Sequence, residues 1–310
     1  MSGCYAVFHK QLGDLVLLEP ALHRLREQHG EPVVVLTRNG HAPVVELMTG
    51  VETRRGWPVQ WRSHLYCFDP LNKSAVRSLF APATRKRCIL PDREEMQWFH
   101  RPLFGDVIVP GLGDRYVAEY FWDLVPVPAK SAFRGPRLNA PPDSWRPNEV
   151  GEQPFILLNA TSGWKRKNWL PERWAEVIRA VHGMTGWPVV ATSASTDWQI
   201  EHTREIEKGA AVGSGLRSLA SGTSLENYLW LCSRAQMVLT VDGAAAHLAA
   251  AFGVKNLTLF GPTNIHNWHH PSAISRAIQA ETSKDGKVRL RSIEAGTVIQ
   301  AAGELLDGTV

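Results

Sequence analysis

Residues 235–263, AQMVLTVDGAAAHLAAAFGVKNLTLFGPT, constrain the fold more than any other stretch of this chain. Residues 237–241 are a short, almost wholly apolar run, the pattern of a strand buried on both faces in a parallel sheet. Asp242 and Gly243 break it. Small and apolar residues from 244 to 252, with His247 among them, predict a helix; Gly253 stops it, residues 256–260 make the next strand, and Gly261-Pro262 turns the chain again. Such a strand-turn-helix-strand unit puts its turn at the carboxyl end of a strand, where open α/β sheets bind ligands. Backbone N–H groups at the helix start, aided by the helix dipole, suit a phosphate. Gly243 and the alanines after it allow close approach to the backbone. Residues 242–247 are therefore a candidate anion site; the alternative is a tightly packed helix that holds no ligand.

The chain has 310 residues, long for one core and comfortable for two domains. A hydrophobic share of 44% against a charged share of 21% excludes disordered and fibrous classes, and no repeat of solenoid length is present. The N-terminus lacks a basic stretch followed by an apolar core, and no apolar run reaches the roughly 18 residues of a membrane span, so a cytoplasmic location is expected. Cys4, Cys67, Cys88 and Cys232 are scattered without a CxxC pair, which suggests reduced thiols rather than a zinc knuckle or disulfide framework.

Residues 5–8 read as a strand, and Gly13 turns the chain into a helix over 15–25 that Pro20 restarts or kinks. Pro32 to Thr37 is the second strand, so the opening is a β-α-β unit of a parallel sheet. Without GxGxxG or an acid after the second strand, dinucleotide binding is not expected. Asp14 stands at the mouth of the first turn, as a helix cap or a catalytic acid. Residues 53–101 carry ten Lys and Arg against four Asp and Glu, interleaved with aromatics. Such a segment can grip phosphorylated sugars or an anionic membrane surface, whereas its spacing matches no nucleic-acid motif. Seven prolines between 126 and 154 mark a boundary near 150. The expected domains are 1–150 and 151–310, with further strands at 155–159 and 189–192, helices at 174–181, 197–207 and 225–233, and a closing helix at 293–306 free to pack back on the N-terminal domain.

Three stretches, in order, resemble glycosyltransferase family 9, the bacterial heptosyltransferases acting on lipopolysaccharide core. They are LGDLVLLEPAL at 12–22, KNWLPERW at 167–174, and TVDGAAAHLAAAFG with LFGPT between 240 and 263. The likeness spans nearly the whole chain, thinning between 50 and 150 and after 270. It implies the α/β GT-B fold, two Rossmann-like doubly wound domains facing a central cleft, with the acceptor on the N-terminal domain and the nucleotide sugar on the C-terminal one. It also implies inversion at the anomeric carbon without a metal, and no D-x-D is present to hold a divalent ion on a diphosphate. A sugar hydroxyl needs a carboxylate to take its proton, and Asp14 matches the family's proposed base, with Glu19 as runner-up. The departing diphosphate needs a fixed cation, and Lys167 matches the family's lysine, with Lys165 or Arg166 as substitutes.

On the same resemblance Thr161, Ser162, Asp197, Asp242, Gly243, Ala244, His247, Gly261, Pro262 and Thr263 are nucleotide-sugar contacts, Asp197 for the ribose. Arg62, Arg85 and Arg87 are the candidate acceptor contacts. Three positions depart from the family pattern: Gly243-Ala244 replaces a hydroxyl residue and a glycine, Asp197 replaces a glutamate, and Asn264 replaces an aspartate. His266, His269 and His270 form a loop cluster read as a mobile donor-side loop rather than a metal site. The implied donor is ADP-heptose, the implied acceptor a phosphorylated glycolipid at the inner membrane face, and neither cofactor nor nucleic acid is expected. The rival readings are a sugar-nucleotide epimerase and a non-catalytic nucleotide-sugar-binding protein.

Overall fold

The computed structural model describes residues 3–30, 32–54, 63–68, 85–89, 98, 106–108, 113–125, 130–194, 196–210, 213–219, 222–270, 272–282, 286 and 288–308. The chain forms two compact units, Met1–Asn139 and Ala140–Val310.

In the first unit, β1 (Cys4–Val7), β2 (Val33–Leu36), β3 (Val51–Thr53), β4 (His64–Cys67), β5 (Arg85–Ile89) and β6 (Asp106–Ile108) form one sheet in the order β3-β2-β1-β4-β5-β6. All its pairings are parallel. Its described helices are α1 (Leu12–His29), α2 (Ala42–Glu46) and α3 (Val117–Asp123). In the second unit, β7 (Ile156–Asn159), β8 (Val189–Thr192), β9 (Leu216–Leu219), β10 (Met237–Val241), β11 (Lys255–Phe260) and β12 (Ser275–Gln279) pair in parallel as β12-β11-β10-β7-β8-β9. Its helices are α4 (Pro171–Thr185), α5 (Asp197–Ala210), α6 (Leu225–Arg234), α7 (Ala244–Phe252), α8 (Ile265–Trp268) and α9 (Ala295–Asp307). Both sheets have the doubly wound Rossmann-like order, with the first and fourth strands of each unit side by side. Among the described residues no helix is long and apolar enough to cross a membrane.

Several elements differ from the sequence expectation. Helix α1 starts at Leu12 because Gln11 and Asp14 form a reciprocal capping box, and it runs unbroken through Pro20. Strands β5, β9 and β12 (RKRCI, LRSL and SRAIQ) carry too many polar and charged residues to show a strand period. The division falls at Asn139 and Ala140 rather than near 150, because each flank of the proline-rich stretch is tied to its own unit. The Asn139 N–H donates to Leu47 O at 2.8 Å, while Asn227 Nδ2 donates to Trp145 O at 2.8 Å. The closing helix α9 packs on α4 and β11 within the second unit. There Val298, Ala302 and Leu305 join the core built around Trp169 and Trp174.

Glu19, the runner-up base, is buried on α1. Arg134 grips both its oxygens at 2.8 and 3.0 Å, and the Arg137 N–H donates to it at 3.0 Å. A carboxylate so saturated holds the 134–137 segment against α1. Replacing Arg134 with Met strands a buried charge, and the expected loss in unfolding free energy is about 3 kcal/mol by urea denaturation. A curve superimposable on the wild type would show that the pair carries no stability.

Candidate active site

The second unit's switch point lies between β7 and β10, whose carboxyl ends open into the two loops that carry the candidate donor residues. Thr240 Oγ1 donates to Asn159 O at 2.9 Å, locking those two ends together. The loop after β7 passes Thr161 and Ser162 and tightens into a short 3-10 turn over Lys165–Lys167. Trp169 then anchors it: its ring is fully buried against Trp174, at 4.9 Å between centroids, and its Nε1 donates to Ile293 O at 3.1 Å. The tryptophans of KNWLPERW are thus core pins, and the lysine two residues before the first pin is held at the sheet edge.

Lys167 Nζ donates to Asp242 Oδ2 at 2.5 Å across 75 residues of sequence, and Thr263 Oγ1 donates to the same oxygen at 2.5 Å. The two ion-pair side chains are 13% and 4% exposed, so solvent screens the pair weakly. Lys167 Nζ also stands 4.9 Å from the Trp164 ring centroid, with the Arg166 guanidinium 4.3 Å from the same centroid. Lys165 faces Trp198 instead. Gly243 caps α7, whose first residue is Ala244, so the carboxylate sits beside the N-terminus of a nine-residue helix. That combination of one ammonium, one hydroxyl and helix N–H groups can meet a phosphate.

Two glutamines that sequence reasoning passed over brace the loops. Gln199 Nε2 donates to Thr161 Oγ1 at 3.2 Å and to Ser162 O at 3.0 Å, fixing the first loop from α5. Gln279 Nε2 donates to Gly261 O at 2.7 Å, fixing the Gly261-Pro262-Thr263 turn. No pattern in the sequence marks either one, since Gln199 is one polar residue among many on α5 and β12 shows no strand period. Asp197 lies exposed in the first turn of α5. Pro262 is exposed as well.

A family model for glycosyltransferase family 9 (heptosyltransferase) matches residues 123–295, more than half of the chain. The chain belongs to glycosyltransferase family 9. The family 9 chain is 28% identical over 168 residues to lipopolysaccharide heptosyltransferase 3 of Escherichia coli, a match that covers 52% of this chain and 48% of that one. The matches span between 30% and 48% of the length of the curated relatives. The fold resembles E. coli ADP-heptose lps heptosyltransferase II at TM-score 0.84 and 20% identity, covering 99% of each chain. It also resembles E. coli heptosyltransferase WaaC with ADP at TM-score 0.77 and 17% identity, covering 98% of this chain and all of that one. These matches show the GT-B fold.

Two departures of this family 9 chain have local structural accounts. Gly243 has φ 177° and ψ −170°, extended backbone that any residue adopts, and a Cβ there would meet Ser162 Cβ at an ordinary 3.4 Å. No conformational need therefore selects glycine at 243. Asn264 caps α8, its side-chain oxygen accepting the His266 N–H at 3.0 Å, which an aspartate would do equally well. The histidine cluster separates by role. His269 Nε2 lies 3.2 Å from both Ser275 O and Ser275 Oγ, while His266 is exposed. Among the described residues no three His, Cys, Asp or Glu side chains are grouped to hold a metal ion.

In the first unit, the Gln11 N–H donates to Asp14 Oδ2 at 3.1 Å, which orients the carboxylate at the carboxyl end of β1. Arg85 and Arg87 occupy β5, paired in register with His64 and Tyr66 of β4, two strands from β1. Arg87 Nη1 donates to Tyr66 OH at 3.0 Å, a hydroxyl that also lies 3.1 Å from His29 Nε2. Arg62 lies outside the described residues.

His247 is 4% exposed, and its Nδ1 is buried without a hydrogen-bond partner among the described residues. Burial is the main reason its pKa is lowered to about 4, with Lys167 and His270 adding to the effect and Asp242 opposing it. The ring is therefore neutral near pH 7. Because the folded-state value lies below the ordinary 6.5, the unfolded chain binds the proton first on acidification. The contribution of His247 to stability is full above about pH 6.5 and is lost as pH falls towards about 4. In a His247→Asn variant the melting temperature should fall less steeply between pH 7 and 5 than in the wild type. Parallel slopes would remove His247 as a source of acid sensitivity.

Proposed function

We propose that this chain is an inverting, metal-independent glycosyltransferase that moves a heptose from ADP-heptose onto a phosphorylated lipopolysaccharide-core acceptor at the inner face of the cytoplasmic membrane. The observation that carries this reading is the Lys167, Asp242 and Thr263 constellation at the α7 N-terminus, in a family 9 chain. The named relative and the two solved proteins, one of them with ADP, support the choice of donor.

Transfer breaks the bond between the anomeric carbon and the diphosphate and forms one to the acceptor oxygen. The bond electrons leave with ADP, and Lys167 with the α7 N–H groups meets the negative charge that gathers there. The acceptor hydroxyl gives its proton to Asp14, whose Oδ2 is steadied by the Gln11 N–H. Attack on the face opposite the diphosphate inverts the anomeric configuration.

An Asp14→Asn variant should lose about a hundredfold or more in kcat while its ADP affinity stays within about twofold of the wild type. Transfer at the wild-type rate would remove Asp14 as the base. In thermal shift assays, ADP should raise the melting temperature more than UDP or GDP at equal concentration. Equal shifts from the three would contradict the adenine assignment, and ADP binding with no transfer to any core acceptor would favour a nucleotide-sugar-binding protein.

A further inference from the structure

Arg38 is a charge held in place by neutral atoms. It follows β2 as His9 follows the neighbouring β1, so both lie at the carboxyl end of the first unit's sheet. Arg38 Nε donates to His9 O at 2.6 Å, and Nη1 donates to Gln11 Oε1 at 3.4 Å. Among the described residues no carboxylate lies within ion-pair distance of this exposed guanidinium, and its Nη2 makes no hydrogen bond. Arg134, by contrast, meets both oxygens of Glu19. A 3-10 turn over Asn39–His41 brings His41 within electrostatic reach of Arg38. Burial lowers the His41 pKa to about 4, the charges of Arg38 and His9 adding to the effect, so the ring is neutral at pH 7. Thr37 Oγ1 lies 3.4 Å from its Nδ1, which leaves Nε2 as the nitrogen able to donate to a ligand.

Gln11 ties this cation to the base assigned above. Its side chain accepts from Arg38, while its backbone N–H donates to Asp14 Oδ2 at 3.1 Å. An anionic acceptor that brings a hydroxyl to Asp14 also brings its own charge towards a carboxylate, and the two repel unless a cation stands close by. A guanidinium pinned through one edge by neutral acceptors keeps its full charge and the rest of its planar fork for an oxyanion. We propose that Arg38, with His41 beside it, is an oxyanion subsite of the first unit that holds a phosphate or carboxylate of the acceptor close to its reacting hydroxyl. Arg38 is thus a specificity determinant, favouring acceptors whose charge and nucleophile lie close together over neutral glycans. This inference rests on the acceptor reading given above and places the subsite on residues other than Arg62, Arg85 and Arg87.

The test is transfer from saturating ADP-heptose with the phosphorylated core acceptor varied. Arg38→Gln keeps an amide donor for His9 O but removes the charge; its acceptor KM should rise about tenfold or more while ADP affinity stays within about twofold. Arg38→Lys, which restores the charge without the fork, should recover most of the loss. Inorganic phosphate should inhibit the wild type competitively against the acceptor, and Arg38→Gln should need about tenfold more of it. Once phosphatase has stripped the acceptor, equal KM values for wild type and Arg38→Gln would assign the oxyanion to a phosphate, and a persisting tenfold gap to a carboxylate. A wild-type acceptor KM in Arg38→Gln would overturn the subsite while leaving the transferase reading intact. Equal losses in the Gln and Lys variants would do the same, reducing Arg38 to a brace of the α1 cap. A wild type that binds ADP yet transfers to no core acceptor would overturn both.

Discussion

The parallel pairing of β7 with β10 sets the geometry of the second unit. Thr240 Oγ1 bonds to the carbonyl of Asn159, joining the ends of the two strands where the winding of the sheet reverses. Parallel strands fan out on either side of that junction, and the loops leaving it must separate, which opens a crevice. Lys167 and Asp242 emerge from the two sides of this crevice and meet at its edge. Were β7 and β10 shifted by one residue, every side chain on the shifted strand would change face and the two groups would part.

The loops are held from outside the crevice. Trp169 buries one residue past Asn168 and hangs its indole N–H on Ile293 O. Gln199 and Gln279 take backbone and hydroxyl groups of the two loops as acceptors. A charged site needs such bracing, because a mobile loop would let the ammonium trade its buried partner for water and lose most of the Coulomb energy. The cost is borne as buried polarity in Thr240, Thr161, Asp242 and His247. With the exception of the His247 Nδ1, these groups have found partners in the contacts described above.

Strand β10 and helix α7 have the limits that the residues predict, since an apolar run, a break and a small-residue helix closed by glycine leave little choice. Family resemblance located Lys167, Asp242 and Thr263, which the structure brings within hydrogen-bond distance. Strands β5, β9 and β12 were not legible, because their arginine, lysine, serine and glutamine hide the strand period without breaking the backbone ladder. Nor were the glutamine braces, whose amide nitrogens donate to loop groups 18 to 38 residues away. Within the basic segment 53–101, the pairing of β4 and β5 sets Arg87 beside Tyr66, a contact between strands that composition does not reveal.

By itself, then, the sequence determined two parallel doubly wound halves, the helix that opens at 243, and the residue types able to take a proton or meet a phosphate. Local patterns suffice for these because periodicity, caps and breakers act within a few residues. Only the tertiary structure decided that Glu19 belongs to Arg134, that His247 is buried neutral, and that the lysine and aspartate share one hydrogen bond. Those pairings depend on burial and on strand order, which bring residues 75 or more positions apart to within a few ångströms in a medium where charge cannot go unmatched.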